Sequence, residues 1–240
     1  MINTDTPPCI LLAAGRGERM RPLTDKVPKP LLKVGGKSLL AWHLENLSSN
    51  GIQEIVINHA WLGEMIESTF GNGNKFGVKI LYSRESHALE TAGGIRKAID
   101  MLNPVDYIMA INADIFCPSF PIDQLKLALR QLRISPNQYL AHLILVPNPK
   151  QHPDGDFYLE NRVVLDCKPK SDAAERLTIS GIGLYHRYLF DMLKPDTPTK
   201  LAPLLREAMK TKMVSGEKFA GTWHDVGTPQ RLQELNAAYE

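Results

Sequence analysis

The apolar positions of the first half of the chain fall in short bursts. Cys9 to Ala14 are six consecutive apolar residues stopped by Gly15, the pattern of a strand buried on both faces. From Ser38 the period lengthens: Leu39, Leu40, His43, Leu44 and Leu47 share one helical face, and Asn50-Gly51 supplies the stop. "EIVINHA" predicts a second strand, Met65, Ile66 and Phe70 mark a helix broken at "GNGN", and "GVKILYS" predicts a third strand. A helix opening near Ala92 and the strand "YIMAINAD" follow. Strands alternating with helices of this size predict an α/β fold, a parallel sheet covered by helices on both faces. Ligands of such sheets gather at the carboxyl ends of the strands, so Gly15 to Lys29 and the Asn112 to Asp114 turn are expected on one rim.

The second half changes character. A helix from Ile122 to Leu132 leads into the strand-like segments "YLAHLILVPNP", "DFYLENRVVLDCKP" and "LTISGIGLYH", separated by Pro, Asp and Gly turns. They predict a mixed region laid onto the same sheet as the far wall of a cleft. "LAPLLREAMK" and "PQRLQELNAAY" read as closing helices. Without repeat, low-complexity tract or linker, residues 1–240 read as a single domain with two functional halves, about 8–118 and about 119–240.

Composition narrows the function classes. Apolar residues make up 43% and charged residues 22% of the chain, as in ordinary soluble proteins. A net charge of +2 leaves no footprint for nucleic acid or an anionic membrane, so any basic chemistry is local. Cys9, Cys117 and Cys167 form no CxxC pair, which suggests neither a disulfide framework nor a zinc site. The seven histidines lack metal-ligand spacing, and His43 and His59 read as structural. No signal peptide or membrane span is apparent, so the expected location is the cytoplasm.

The local basic chemistry is in "GRGERMRPLTDKVPKP". It fits neither the Walker spelling nor the dinucleotide fingerprint: Met20 stands where a third glycine belongs, and the helix begins only near Ser38. Gly15 and Gly17 permit positive backbone angles that turn successive amides inward as an anion nest. Arg19 can add bidentate contacts to phosphate oxygens. Pro28 and Pro30 bracket Lys29 and restrict where its ammonium points. Five cations on one loop, Arg16, Arg19, Arg21, Lys26 and Lys29, repel one another unless water or an anion screens them. The loop reads as a triphosphate clamp.

From Leu12 to Leu32 the sequence resembles the GxGxRMxPLT...PKPL segment of the sugar-phosphate nucleotidyltransferases. The resemblance implies a Rossmann-like, mostly parallel sheet flanked by helices with a mixed sugar-binding half, the GT-A-like nucleotidyltransferase fold. It also implies that a nucleoside triphosphate and a sugar 1-phosphate give a nucleotide-sugar and pyrophosphate. Arg19 and Lys29 would then be catalytic, and Ala13, Ala14, Gly15, Gly17, Glu18, Arg19, Lys29, Thr91, Gly93 and Gly94 would bind the nucleotide. The last three belong to "LETAGGI", where two glycines would let a flat base lie against backbone.

Asp114, in N-x-D, and Asp225, in WxDVGT, fall where the family places its two ligands for Mg²⁺. Asn112, Asp156, Ser180 and Gly181 fall in segments that line the sugar cleft. The E-K-P element survives only as Asp166-Cys167-Lys168-Pro169, so Lys168 is left outside the site. From Cys9 to Leu232 the chain further resembles the branch that transfers a uridylyl group from UTP to N-acetylmuramic acid 1-phosphate in cell-wall recycling. Thymidylyl or guanylyl transfer to a hexose 1-phosphate, and a non-catalytic nucleotide-sugar sensor, are the alternatives. No nucleic acid or membrane partner is expected; the oligomeric state is left open, and a monomer is compatible with the chain.

Overall fold

The computed structural model describes residues 6–135 and 138–239. In chain order, β1 (Cys9–Leu12) leads through a long loop to the short pair β2 (Lys33–Val34) and β3 (Lys37–Ser38), then to α1 (Leu39–Ser49). There follow β4 (Glu54–His59), α2 (Gly63–Phe70), β5 (Lys79–Arg84), α3 (Glu90–Ile99), β6 (Tyr107–Asn112), β7 (Ile115–Phe116) and α4 (Ile122–Ile134). The second half comprises β8 (Ala141–Val146), β9 (Phe157–Glu160), β10 (Val163–Leu165), β11 (Glu175–His186), α5 (Tyr188–Asp191), α6 (Leu201–Lys210), β12 (Val214–Lys218), β13 (His224–Asp225) and α7 (Pro229–Tyr239).

Nine strands form one sheet in the order β5-β4-β1-β6-β11-β8-β12-β10-β9. The first four are parallel, as the alternating strands and helices predict. Beyond β6 the sheet turns mixed: β11 runs antiparallel to β6 and β8, while β12 is parallel to β8. "DFYLENRVVLDCKP" is not one long strand. It folds into the hairpin β9-β10, turned by Asn161 and Arg162, both at positive φ. "VSGEK" adds β12, which sequence reading passed over because glycine and three polar residues mask its alternation.

The continuous apolar runs follow from burial on two faces. In β1 and β6, Cys9, Leu11, Met109 and Ile111 face a core beneath α1, α2 and α4. Their neighbours Ile10, Ile108 and Ala110 face a core beneath α3, α5 and α6. A third cluster of Met20, Leu32, Val34, Leu39, Phe116, Val226, Leu232 and Leu235 ties the opening loop to α7. Ser38 caps α1, its Oγ accepting the Ala41 N–H at 3.3 Å; such a cap contributes about 1 kcal/mol.

His43 and His59 are buried, as expected of structural residues. The neutral His43 ring donates from Nε2 to the Ile115 carbonyl at 3.0 Å, and burial lowers its pKa to about 4. His59 lies 2.7 Å from Glu67, which also accepts two hydrogen bonds from Arg84. The Arg84 guanidinium, joined by His59, outweighs partial burial and lowers the Glu67 carboxyl from 4.5 to about 2. A carboxylate with a depressed folded pKa contributes stability above its unfolded pKa and loses it on acidification. Glu67→Gln is therefore expected to flatten the loss of stability between pH 4.5 and about 2, read from urea midpoints at pH 6 and pH 3; an unchanged pH dependence would contradict this.

Candidate active site

At Leu12 the sheet ends, and the chain enters the glycine-rich loop. Gly17 alone of its first two glycines is left-handed, at φ +67°, whereas Gly15 is not, so the expected pair of positive angles reduces to one. The buried Thr24 donates its hydroxyl to the Gly17 carbonyl at 2.9 Å. A β-carbon on Gly17 would stand 3.1 Å from the Thr24 methyl and 3.2 Å from Lys29 Cβ. The loop is thus closed on itself before any ligand enters.

Its charges are also partly settled internally. Arg16 donates to the Thr24 carbonyl at 2.7 Å and to Asp25 at 2.8 Å, and its guanidinium stacks 4.0 Å from the Trp61 ring. Arg21 reaches the same Asp25 oxygen at 2.8 Å. These two arginines are paired with Asp25 and brace the loop, a partner that the five-cation reading did not count. Arg19 is different: it is exposed, lines the cleft, and has no ion pair among the described residues.

Lys29 is buried between its two prolines and donates to Asp114 Oδ2 at 2.5 Å. Asp114 follows β6, and the next two residues form β7, which pairs with β13 so that Asp225 lies opposite Ile115. That pairing, between segments 110 residues apart, sets the two aspartates on one cavity wall together with Arg19. Arg231 of α7 donates to Asp225 Oδ2 at 2.7 Å. Among the described residues each aspartate therefore has a cation on one oxygen and no such partner on the other, a donor set suited to a hard divalent cation that shares its shell with phosphate.

Three cavities meet here. The largest, about 460 Å³, is lined by Ala13, Ala14, Gly15, Gly17, Glu18, Arg19, Lys29, Thr91, Asn112 and Asp114, with Asn58 and Glu90 added. The opening loop and the Asn112–Asp114 turn thus share one rim. A second cavity, about 250 Å³, adjoins it through Leu12, Glu90, Thr91 and Asn112, and reaches Asp156, Gly181, Lys200 and Arg206. The third, about 380 Å³, holds both aspartates, Ser180, Trp223 and Arg231. Asn112 lines all three.

Gly93 and Gly94 line none of them. They are buried in α3, and their missing side chains make room for protein rather than for a base. A β-carbon on Gly93 would lie 2.5 Å from the Thr197 carbonyl; one on Gly94 would lie 2.5 Å from Asn58 Nδ2 and 2.9 Å from Glu85 Oε1. What Gly94 accommodates is a buried relay that sequence reading missed. Asn58 Oδ1 accepts the Ala13 N–H at 2.7 Å, its Nδ2 donates to Glu85 at 2.7 Å, and the other Glu85 oxygen accepts the Leu89 N–H at 2.9 Å. The relay joins the start of the glycine loop to the loop that presents Glu90 and Thr91. Burial pushes the Glu85 carboxyl up, against the pull of those donors. The available signal was position: Asn58 is a polar residue at the carboxyl end of a buried strand, in register with Leu12.

On the far wall, Ser180 and Gly181 form the bulge where β11 slips against β8. Gly181 sits at φ +81°, where a β-carbon would come 2.8 Å from the Asn112 amide. The Ser180 hydroxyl is committed to the bulge, donating to the Ile144 carbonyl at 2.6 Å and accepting the Ile182 N–H at 3.1 Å. Trp223 donates its indole N–H to the Ser180 carbonyl at 2.9 Å, which fixes the approach to Asp225. Asp156 accepts the Ile179 N–H at 2.9 Å and pairs with His152 at 3.0 Å. Glu90, also missed, holds φ +59°, a costly angle for a side chain with a β-carbon. Lys168 is exposed and lines none of the three cavities.

Residues 9–240 match the family model described as Nucleotidyl transferase. The chain is 46% identical over 231 residues to the N-acetylmuramate alpha-1-phosphate uridylyltransferase of Neisseria meningitidis serogroup B, covering 95% of this chain and 96% of the relative. To the protein of the same name from Caulobacter vibrioides it is 30% identical over 230 residues, 92% of each chain. Among solved structures, a Bacillus anthracis protein in complex with a sucrose superposes with a TM-score of 0.79 at 24% identity, covering 98% of this chain and 95% of that one.

Proposed function

The chain belongs to the nucleotidyl transferase family as a sugar-1-phosphate nucleotidyltransferase, and we propose that it transfers the uridylyl group of UTP to N-acetylmuramic acid 1-phosphate. The observation that carries this is the convergence of a closed glycine loop, Arg19, Lys29, Asp114 and Asp225 on one connected cleft. The 46% identity to the Neisseria uridylyltransferase selects the two substrates.

The reaction is a single in-line displacement. A phosphate oxygen of the sugar 1-phosphate forms a bond to the α-phosphorus of UTP, the bond from that phosphorus to the bridging oxygen breaks, and pyrophosphate leaves with the electron pair. A phosphate monoester has a second pKa of about 6, so the attacking group is already ionised at neutral pH and no general base is required. Positioning and charge neutralisation remain to be supplied. The amides of the loop and Arg19, on the wall shared by two cavities, hold the triphosphate. Lys29 is a buried point charge whose direction Pro28, Pro30 and Asp114 fix. Asp114 and Asp225 would hold Mg²⁺, which when bound offsets the negative charge of the phosphates and of the departing pyrophosphate. Asn112, which lines all three cavities of the cleft, orients the sugar against the nucleotide.

The test is pyrophosphate release across UTP, dTTP and GTP against N-acetylmuramic acid 1-phosphate and neutral hexose 1-phosphates. Turnover should be highest with UTP and the acidic sugar. Preference for another nucleotide or a neutral sugar would replace the substrate assignment, and absence of turnover with tight UDP-sugar binding would replace catalysis by sensing. No helix among the described residues is long and apolar enough to cross a membrane.

A further inference from the structure

We infer that Lys200, supported by Arg206 and the amino end of α6, forms a carboxylate subsite at the far end of the second cavity and recognises the acidic substituent of the sugar. The inference rests on the uridylyl-transfer reading above and deepens it, because that substrate carries a lactyl ether whose carboxylate lies away from the reacting phosphate.

The second cavity has an apolar floor, with Phe157, Tyr185 and Leu205, and a charged rim. Of the two carboxylates that face it, Asp156 is held by the Ile179 amide and His152. Glu90 sits on the wall shared with the larger cavity. Of the two cations, Arg206 donates to Asp166 at 3.0 Å and lies over the Phe157 ring. Lys200 has no ion pair or side-chain hydrogen bond among the described residues.

The placement of Lys200 is electrostatically costly without a ligand. It occupies the N-cap of α6, makes no capping hydrogen bond, and the first turn contains no acidic residue. A cation beside the positive end of a helix is the unfavourable arrangement, and Arg206 adds a second cation on the same wall. An anion there relieves all three at once. The phosphates of both substrates are claimed by the opening loop and the aspartate wall, so the anion belongs to a different part of the sugar.

The backbone of this segment is held in place. The Thr199 carbonyl accepts the N–H groups of Ala92 and Gly93 at 2.9 and 3.1 Å, and the Thr199 N–H donates to the Leu89 carbonyl at 2.9 Å. Gly93 is the residue that lets residues 197–199 approach α3 so closely, its absent β-carbon leaving space for the Thr197 carbonyl. The glycine expected to seat a base instead seats the segment that carries Lys200.

The experiment compares kcat/KM for N-acetylmuramic acid 1-phosphate and N-acetylglucosamine 1-phosphate, each with UTP, in the wild type, Lys200→Met and Lys200→Arg. Lys200 is exposed, so the variants should fold, as circular dichroism would verify. Losing a charge-assisted contact should cut the preference for the carboxylated sugar roughly ten- to hundredfold, through its KM, and arginine should restore most of it. A Lys200→Met enzyme that keeps the wild-type ratio overturns the subsite and leaves uridylyl transfer to the acidic sugar standing. A wild type that uses only the neutral sugar phosphate overturns both.

Discussion

Lys29→Ala is expected to lower kcat for pyrophosphate release by roughly 10²–10³-fold, the cost of removing one preorganised electrostatic group from a transition state. The ammonium is buried, held at 2.5 Å from Asp114 and flanked by two prolines, so its position is set before substrate arrives. Water entering the vacated space would have to reorient during reaction to do the same work. The fold should survive, since the Asp114 side chain is 38% exposed and can be solvated once its partner is gone. Lys29→Arg should recover little, because a planar fork does not reproduce a compact point charge. Asp225→Ala should show a comparable loss that excess Mg²⁺ relieves only partly. The measurement is steady-state pyrophosphate release alongside far-UV circular dichroism. Wild-type rates in Lys29→Ala or Asp225→Ala would remove these residues from the chemistry.

Asn58→Leu is expected to produce the largest stability loss, roughly 2–4 kcal/mol, because it leaves buried polar groups without partners. Glu85 is buried and would lose one of its two donors, while the Ala13 N–H would keep only its longer contact to the Asn58 backbone carbonyl at 3.2 Å. The relay joins the two segments that flank the cavity of about 460 Å³ beside the glycine loop, so the surviving folded enzyme should show a raised KM for UTP with kcat less affected. Gly94→Ala should cause a milder version of the same defect by pushing the Asn58 amide away. Chemical denaturation and UTP saturation curves test both. A stable Asn58→Leu enzyme with an unchanged KM would show that the relay carries no load.

The loop proposed to hold the triphosphate was legible as a unit in the sequence because its parts are local: glycines, prolines and cations within Gly15 to Lys29 lie close in space by virtue of chain connectivity alone. The same holds for the parallel half of the sheet, whose continuous apolar runs record burial on two faces. Locality also misled. Arg16 and Arg21 counted as available cations until the fold placed Asp25 between them. Gly93 and Gly94 stood as a platform for a base until the segments that fill their space, 197–199, Asn58 and Glu85, came into view.

By itself, the sequence determined the strand-helix alternation, the glycine-rich basic loop and the residue types available to hold a metal. Tertiary structure decided which of them meet. Asp114 and Asp225 share a wall through a two-residue strand pairing, Ala13 and Leu89 are joined through Asn58 and Glu85, and Lys200 arrives at the cleft on a segment anchored to α3. Local pattern reports what each residue can do with its chain neighbours. Contacts between residues tens to more than a hundred positions apart depend on how the whole sheet is ordered, which no single stretch of the chain encodes.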